Sequence, residues 1–108
     1  MIIEYKKLVR DKIPQIIEND GKKVEISKII DDDFFRKMLV DKLKEEVNEY
    51  LESFDPEELA DILEVIYALA NQVHKLNMDD IEKIRQTKVL TRGSFKEGLV
   101  LEKVYSVE

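Results

Sequence analysis

The sequence predicts a mainly α protein: an antiparallel helical bundle of about four helices with a small β-ribbon. Three observations predict it. Apolar residues recur at spacings of three and four over two long stretches, the period of a helix with one buried face. Charged residues make up 39% of the 108, against 44% hydrophobic, which suits helices with solvated faces rather than disorder. Only three glycines and two prolines punctuate the chain, so helix starts and stops are readable.

The first helix is expected over residues 11–19. Asp11 is its expected cap, Pro14 is tolerated in its first turn, and Asn19-Asp20-Gly21 ends it. Residues 23–27 alternate in polarity and predict a short strand. The second helix is expected from about Asp33 to Ser53, with Asp31, Asp32 and Asp33 at its positive end. Phe54-Asp55-Pro56 is the turn. The third helix is expected from Pro56 to about Leu76, with Asp55 as N-cap and Glu58 in the capping-box position. Asn77 closes it, and a fourth helix is expected from Met78 to about Thr91. Residues 99–105 alternate again and are expected to pair with the segment around Val24.

Composition removes several classes of function. Without cysteine there is no disulfide, thiolate zinc site, iron–sulfur cluster or cysteine nucleophile. The single histidine, His74, makes imidazole-based metal sites poor candidates; near the end of the third helix it reads as a cation at a helix C-terminus or a polar edge of the core. No apolar run is long enough to span a membrane. The expectation is a single cytoplasmic domain over residues 1–108. The formal net charge is −6, but residues 41–64 alone carry −8 and the remainder +2. An acidic centre is unsuited to a nucleic-acid polymer, because phosphate binding needs a basic surface. It suits a hard cation.

The two central helices place acids beside their apolar faces. Phe35, Leu39, Leu43, Val47, Tyr50, Leu51 and Phe54 form one stripe, with Glu46 inside it and Glu49 at its edge. Leu59, Ile62, Leu63, Ile66, Leu69, Ala70 and Val73 form the other, with Glu58 in its margin and Asp61 just outside. The hairpin turn brings the two acidic pairs together. Four converging carboxylates in a half-dry groove are costly unless protonated or bound to a cation. All-oxygen ligands suit Mg²⁺, with Mn²⁺ as a second fit. Glu52 and Glu64 read as solvated.

Glu45-Glu46-Val47-Asn48-Glu49 followed by Glu58-Leu59-Ala60-Asp61 resembles the EExxE…ExxD signature of the MazG-like all-α nucleoside triphosphate pyrophosphohydrolases. The opening Tyr5-Lys6-Lys7-Leu8-Val9-Arg10-Asp11-Lys12-Ile13-Pro14 and the closing Lys88…Arg92-Gly93-Ser94-Phe95 resemble the phosphoribosyl-ATP pyrophosphohydrolase-like branch of that superfamily. The gap of eight residues between Glu49 and Glu58 is shorter than in many relatives and bears on the substrate pocket.

The resemblance implies that Glu46, Glu49, Glu58 and Asp61 hold Mg²⁺. It implies for Glu45 either a place behind the ligands or the role of base that orients the attacking water. It implies hydrolysis of a nucleoside triphosphate to monophosphate and pyrophosphate, with clearance of noncanonical nucleotides as one setting. Phosphoribosyl-ATP is the alternative substrate, and a non-enzymatic helical module that binds nucleotides or a partner is the alternative class. Lys88 and Arg92, spaced i, i+4, are candidates for the triphosphate, as are Arg10 and Lys12 of the opening motif. The stripes on the long helices are wider than one hairpin covers, which predicts a homodimer or homotetramer.

Overall fold

A computed structural model describes residues 1–107. It is mainly α, with four helices: α1 (Ile13–Asn19), α2 (Asp32–Ser53), α3 (Pro56–Gln72) and α4 (Met78–Arg92). The chain forms two compact units, Met1–Met78 and Asp79–Glu108. Among the described residues no helix is long and apolar enough to cross a membrane.

The first unit is built on the hairpin of α2 and α3, which pack against each other. Asp31 caps α2 by accepting the Phe34 N–H on its carboxylate at 3.2 Å, and Asp32 and Asp33 follow in the first turn, where the helix dipole favours them. The helix stops at Phe54, which takes the left-handed conformation (φ 52°) while its N–H donates to Tyr50 O. Asp55 then caps α3 by accepting the Glu57 N–H at 3.0 Å, and Pro56 occupies the first turn. Two residues therefore stop one helix, reverse the chain and start the next. This short reversal sets α2 and α3 antiparallel.

Four sequence expectations need correction. Asp11 does not cap α1: Lys12 occupies the cap position and its side chain makes no capping bond. The Ile13 N–H instead finds the Arg10 carbonyl at 3.0 Å. Helix α3 ends at Gln72, short of Leu76, because Lys75 turns left-handed (φ 56°) and the Leu76 N–H closes back onto Ala70 O. The capping box does not form, since the Asp55 N–H goes to Ser53 Oγ. The β-ribbon is absent: residues 23–27 and 99–105 form no ladder. Two short alternating segments lack the third strand or packed face that makes a ribbon stable in water.

The interior of the hairpin is small. Leu39 from α2 and Val65 and Ala70 from α3 are buried, and Glu46 is buried with them. On α2 the sequence stripe faces inward as expected through Phe35, Leu39, Leu43 and Tyr50, while Leu51 and Phe54 emerge into solvent. On α3 the inward face is rotated from the expected one. Leu59, Leu63 and Ile66 are exposed, and Glu58, Asp61, Ile62 and Val65 turn inward.

Candidate metal centre

The rotation of α3 builds the site. Glu45 and Glu46 are adjacent on α2 with Glu49 one helical turn on, and Glu58 and Asp61 lie one turn apart on α3. Packing of the hairpin brings them into two overlapping triads. In one, Glu45, Glu46 and Glu49 each present an atom within 4.8 Å of the others. In the second, Glu46, Glu58 and Asp61 do the same. Glu46 belongs to both and is only 6% exposed. All four carboxylates expected to form the site, and Glu45 beside them, are thus in one cluster.

Acids in helices are commonly exposed, so the cluster alone says little. The decisive feature is what its oxygens touch. Glu46 Oε2 and Glu58 Oε2 are both buried and make no hydrogen bond. An unsatisfied buried carboxylate oxygen is among the costlier features a fold can retain. Burial raises the pKa of Glu46 above its ordinary 4.5; the bond to Lys42 opposes this, and the charge of Glu49 and a hydrogen bond shared with it add to the rise. Glu58 is pushed up to about 7, first by burial, then by the charge of Glu49 and a hydrogen bond shared with it, and then by the charges of Asp61 and Glu46.

Three acids of the cluster, Glu45, Glu46 and Asp61, meet cations. Lys42 Nζ lies 3.1 Å from Glu46 Oε1 and 3.4 Å from Glu45 Oε2. Burial acts to lower the pKa of Lys42, but its bonds to Glu46 and Glu45 outweigh this and raise it. Lys7 reaches Glu45 Oε1 at 3.6 Å. Arg10 Nη2 donates to Asp61 Oδ1 at 2.5 Å. The cations therefore stand around the rim, and the unpaired oxygens of Glu46 and Glu58 are left to the interior. With all five carboxylates ionised, the three cations leave two negative charges, the charge of one divalent ion. Hard oxygen donors, an uncompensated charge and two orphaned buried oxygens fit Mg²⁺ or Mn²⁺.

Lys12 is exposed at the start of α1. Lys88 and Arg92 lie in the second unit, one turn apart and exposed in the C-terminal half of α4, where Arg92 complements the helix dipole. His74 is exposed just beyond the end of α3. Sequence reasoning missed Lys7 and Lys42. For Lys42 the signal was present, because it precedes Glu45 and Glu46 by three and four residues, the spacing of helical ion pairs. For Lys7 nothing local marks the pairing. No family model, characterised protein or solved structure matches the chain.

Proposed function

We propose that this protein is a Mg²⁺-dependent pyrophosphohydrolase that converts a nucleoside triphosphate, or a closely related nucleotide, to its monophosphate and pyrophosphate. The observation that carries the reading is the pair of buried, unbonded oxygens, Glu46 Oε2 and Glu58 Oε2, among converging acids. The order of the opening, double-carboxylate and closing motifs adds the substrate class by resemblance.

In this reading Glu46, Glu49, Glu58 and Asp61 hold the metal. A divalent cation bound there supplies neutralisation of phosphate oxygens and a more acidic bound water. Glu45 is braced on both oxygens, by Lys7 and Lys42. That contact on both oxygens orients the carboxylate, which supports a role in orienting neighbouring groups. Arg10 stands at the rim, where a phosphate chain would approach, and Lys12 is a further candidate for it. Water attacks the α-phosphorus and the bond to the α–β bridging oxygen breaks. The outer phosphates then leave together, with the charge developing on one leaving group.

The test is a nucleotide panel, phosphoribosyl-ATP included, assayed for pyrophosphate release with Mg²⁺. Hydrolysis in H₂¹⁸O should place the label in the monophosphate. Orthophosphate plus a diphosphate as primary products would overturn the mechanism. Glu49→Gln and Asp61→Asn should each lower turnover on the order of 100-fold or more with helical content unchanged. Near-normal turnover in either would remove that residue from the site.

A second reading, a helical module acting through a partner, is favoured by one observation. Leu59, Leu63 and Ile66 form an i, i+4, i+7 stripe on α3 and are 50%, 46% and 36% exposed. A second copy of the chain is the occupant that such a stripe suits, because a two-fold contact sets the same apolar residues against each other. Self-association as a homodimer or homotetramer is compatible with either reading.

A further inference from the structure

The segment preceding α1 makes no regular structure, yet it spans the acidic cluster. Leu8 and Val9 are half-buried, and Leu8 helps to close a cavity of about 60 Å³ against Met38, Asp41 and Lys42 of α2. On either side of that anchor the segment extends a cation. Lys7, resting 5.6 Å from the centre of the Tyr5 ring, meets Glu45 on α2. Arg10 meets Asp61 on α3.

Lys42 and Arg10 differ in how firmly they are held. The Lys42 side chain is 18% exposed and is bound by two carboxylates of its own helix. The Arg10 side chain is 54% exposed, lies outside any helix and is bound by one carboxylate that is itself 38% exposed. Exposed ion pairs are weak and exchange readily. Arg10 also occupies an oxygen of a residue that the metal reading needs as a ligand. A guanidinium near a divalent cation is repelled by it, whereas the same guanidinium matches two phosphate oxygens in a forked contact.

We propose that Arg10 is an exchanging cation. It holds Asp61 while the cluster carries no divalent ion, and it releases Asp61 and turns to the phosphate oxygens of the ligand once the cluster is loaded. The inference rests on the metal reading above. It assigns Arg10 opposite effects on the two binding events: it competes with the metal and assists the phosphate.

Titration calorimetry on the full chain separates the two events. With Mn²⁺ alone, Arg10→Gln should bind the metal about two- to fivefold more tightly than the wild type, the range expected for releasing an exposed ion pair. With Mn²⁺ saturating, the same variant should bind inorganic pyrophosphate about tenfold more weakly, the loss expected for a charge-assisted contact. Arg10→Lys keeps the charge without the fork and should recover part of the pyrophosphate affinity. Circular dichroism of both variants should match the wild type, since the residue is exposed and outside the helices. A variant that changes both affinities in the same direction, or leaves either unchanged, overturns the exchange while the metal reading stands. A wild-type chain that binds no Mn²⁺ overturns both.

Discussion

Glu58 is where charge and folding are most directly coupled. Its carboxyl ionises at about 7 in the folded chain, against an ordinary 4.5. Between those values the folded state keeps a proton that the unfolded state has lost, so raising the pH favours unfolding. The penalty is absent below about 4.5 and complete above about 7. In metal-free protein the melting temperature of the wild type should therefore fall relative to Glu58→Gln as pH rises through this window, because the amide has no proton to lose. Thermal melts of both proteins at pH 4.5, 6 and 8 check this; parallel curves would contradict it. Metal should reverse the order. Mn²⁺ at pH 8 should raise the wild-type melting temperature and leave Glu58→Gln nearly unmoved, since binding to the folded state alone stabilises it by mass action.

The α2–α3 hairpin is the element that makes the site, and its stability rests on few side chains. Leu39 is 2% exposed and the most deeply buried apolar residue. Leu39→Ala should cost about 2–5 kcal/mol in chemical denaturation, the range for emptying a buried leucine site. Asp55 offers a subtler test. Its carboxylate accepts the Glu57 N–H at the start of α3, and Asp55→Ala should cost about 1 kcal/mol. That loss frays the turn carrying Glu58, so metal affinity should fall along with stability. An Asp55→Ala variant with full stability would show that the cap is dispensable. The cap of α3 was legible in the sequence, as were the acids at the start of α2, because a cap is a local bargain between one side chain and an N–H two or three residues on. The end of α3 was not. Residues 73–76 continue the helical pattern, and only the left-handed turn at Lys75 reveals the stop.

At the scale of the whole molecule, the exposed stripe on α3 should govern assembly. Leu63 is at its centre, flanked by Leu59 and Ile66 one turn away on either side. It is 46% exposed and lies outside the acidic cluster. Light scattering of the wild type at micromolar concentration should report an oligomer. Leu63→Asp should shift it to monomer without loss of helical content, because a carboxylate buried at a two-fold contact meets its own copy. A wild-type monomer at that concentration would remove self-association from the account of this face.

The sequence by itself determined the mainly α class, the starts of α2, α3 and α4, and the acidic pairs on the two central helices. Each of these depends on residues three or four apart, and a helix converts such spacings directly into shared faces. Tertiary structure alone decided which face of α3 turns inward. An amphipathic stripe as wide as residues 58–73 can dock in more than one rotation, and its docking against α2 exposes Leu59, Leu63 and Ile66 while bringing Glu58 and Asp61 to Glu46. It also decided the partners of the acids. Arg10 and Asp61 are 51 residues apart, and no local period relates them. The missing ribbon has the same origin: alternation in residues 23–27 and 99–105 states a preference, but a strand exists only when a distant partner and a packed face complete it.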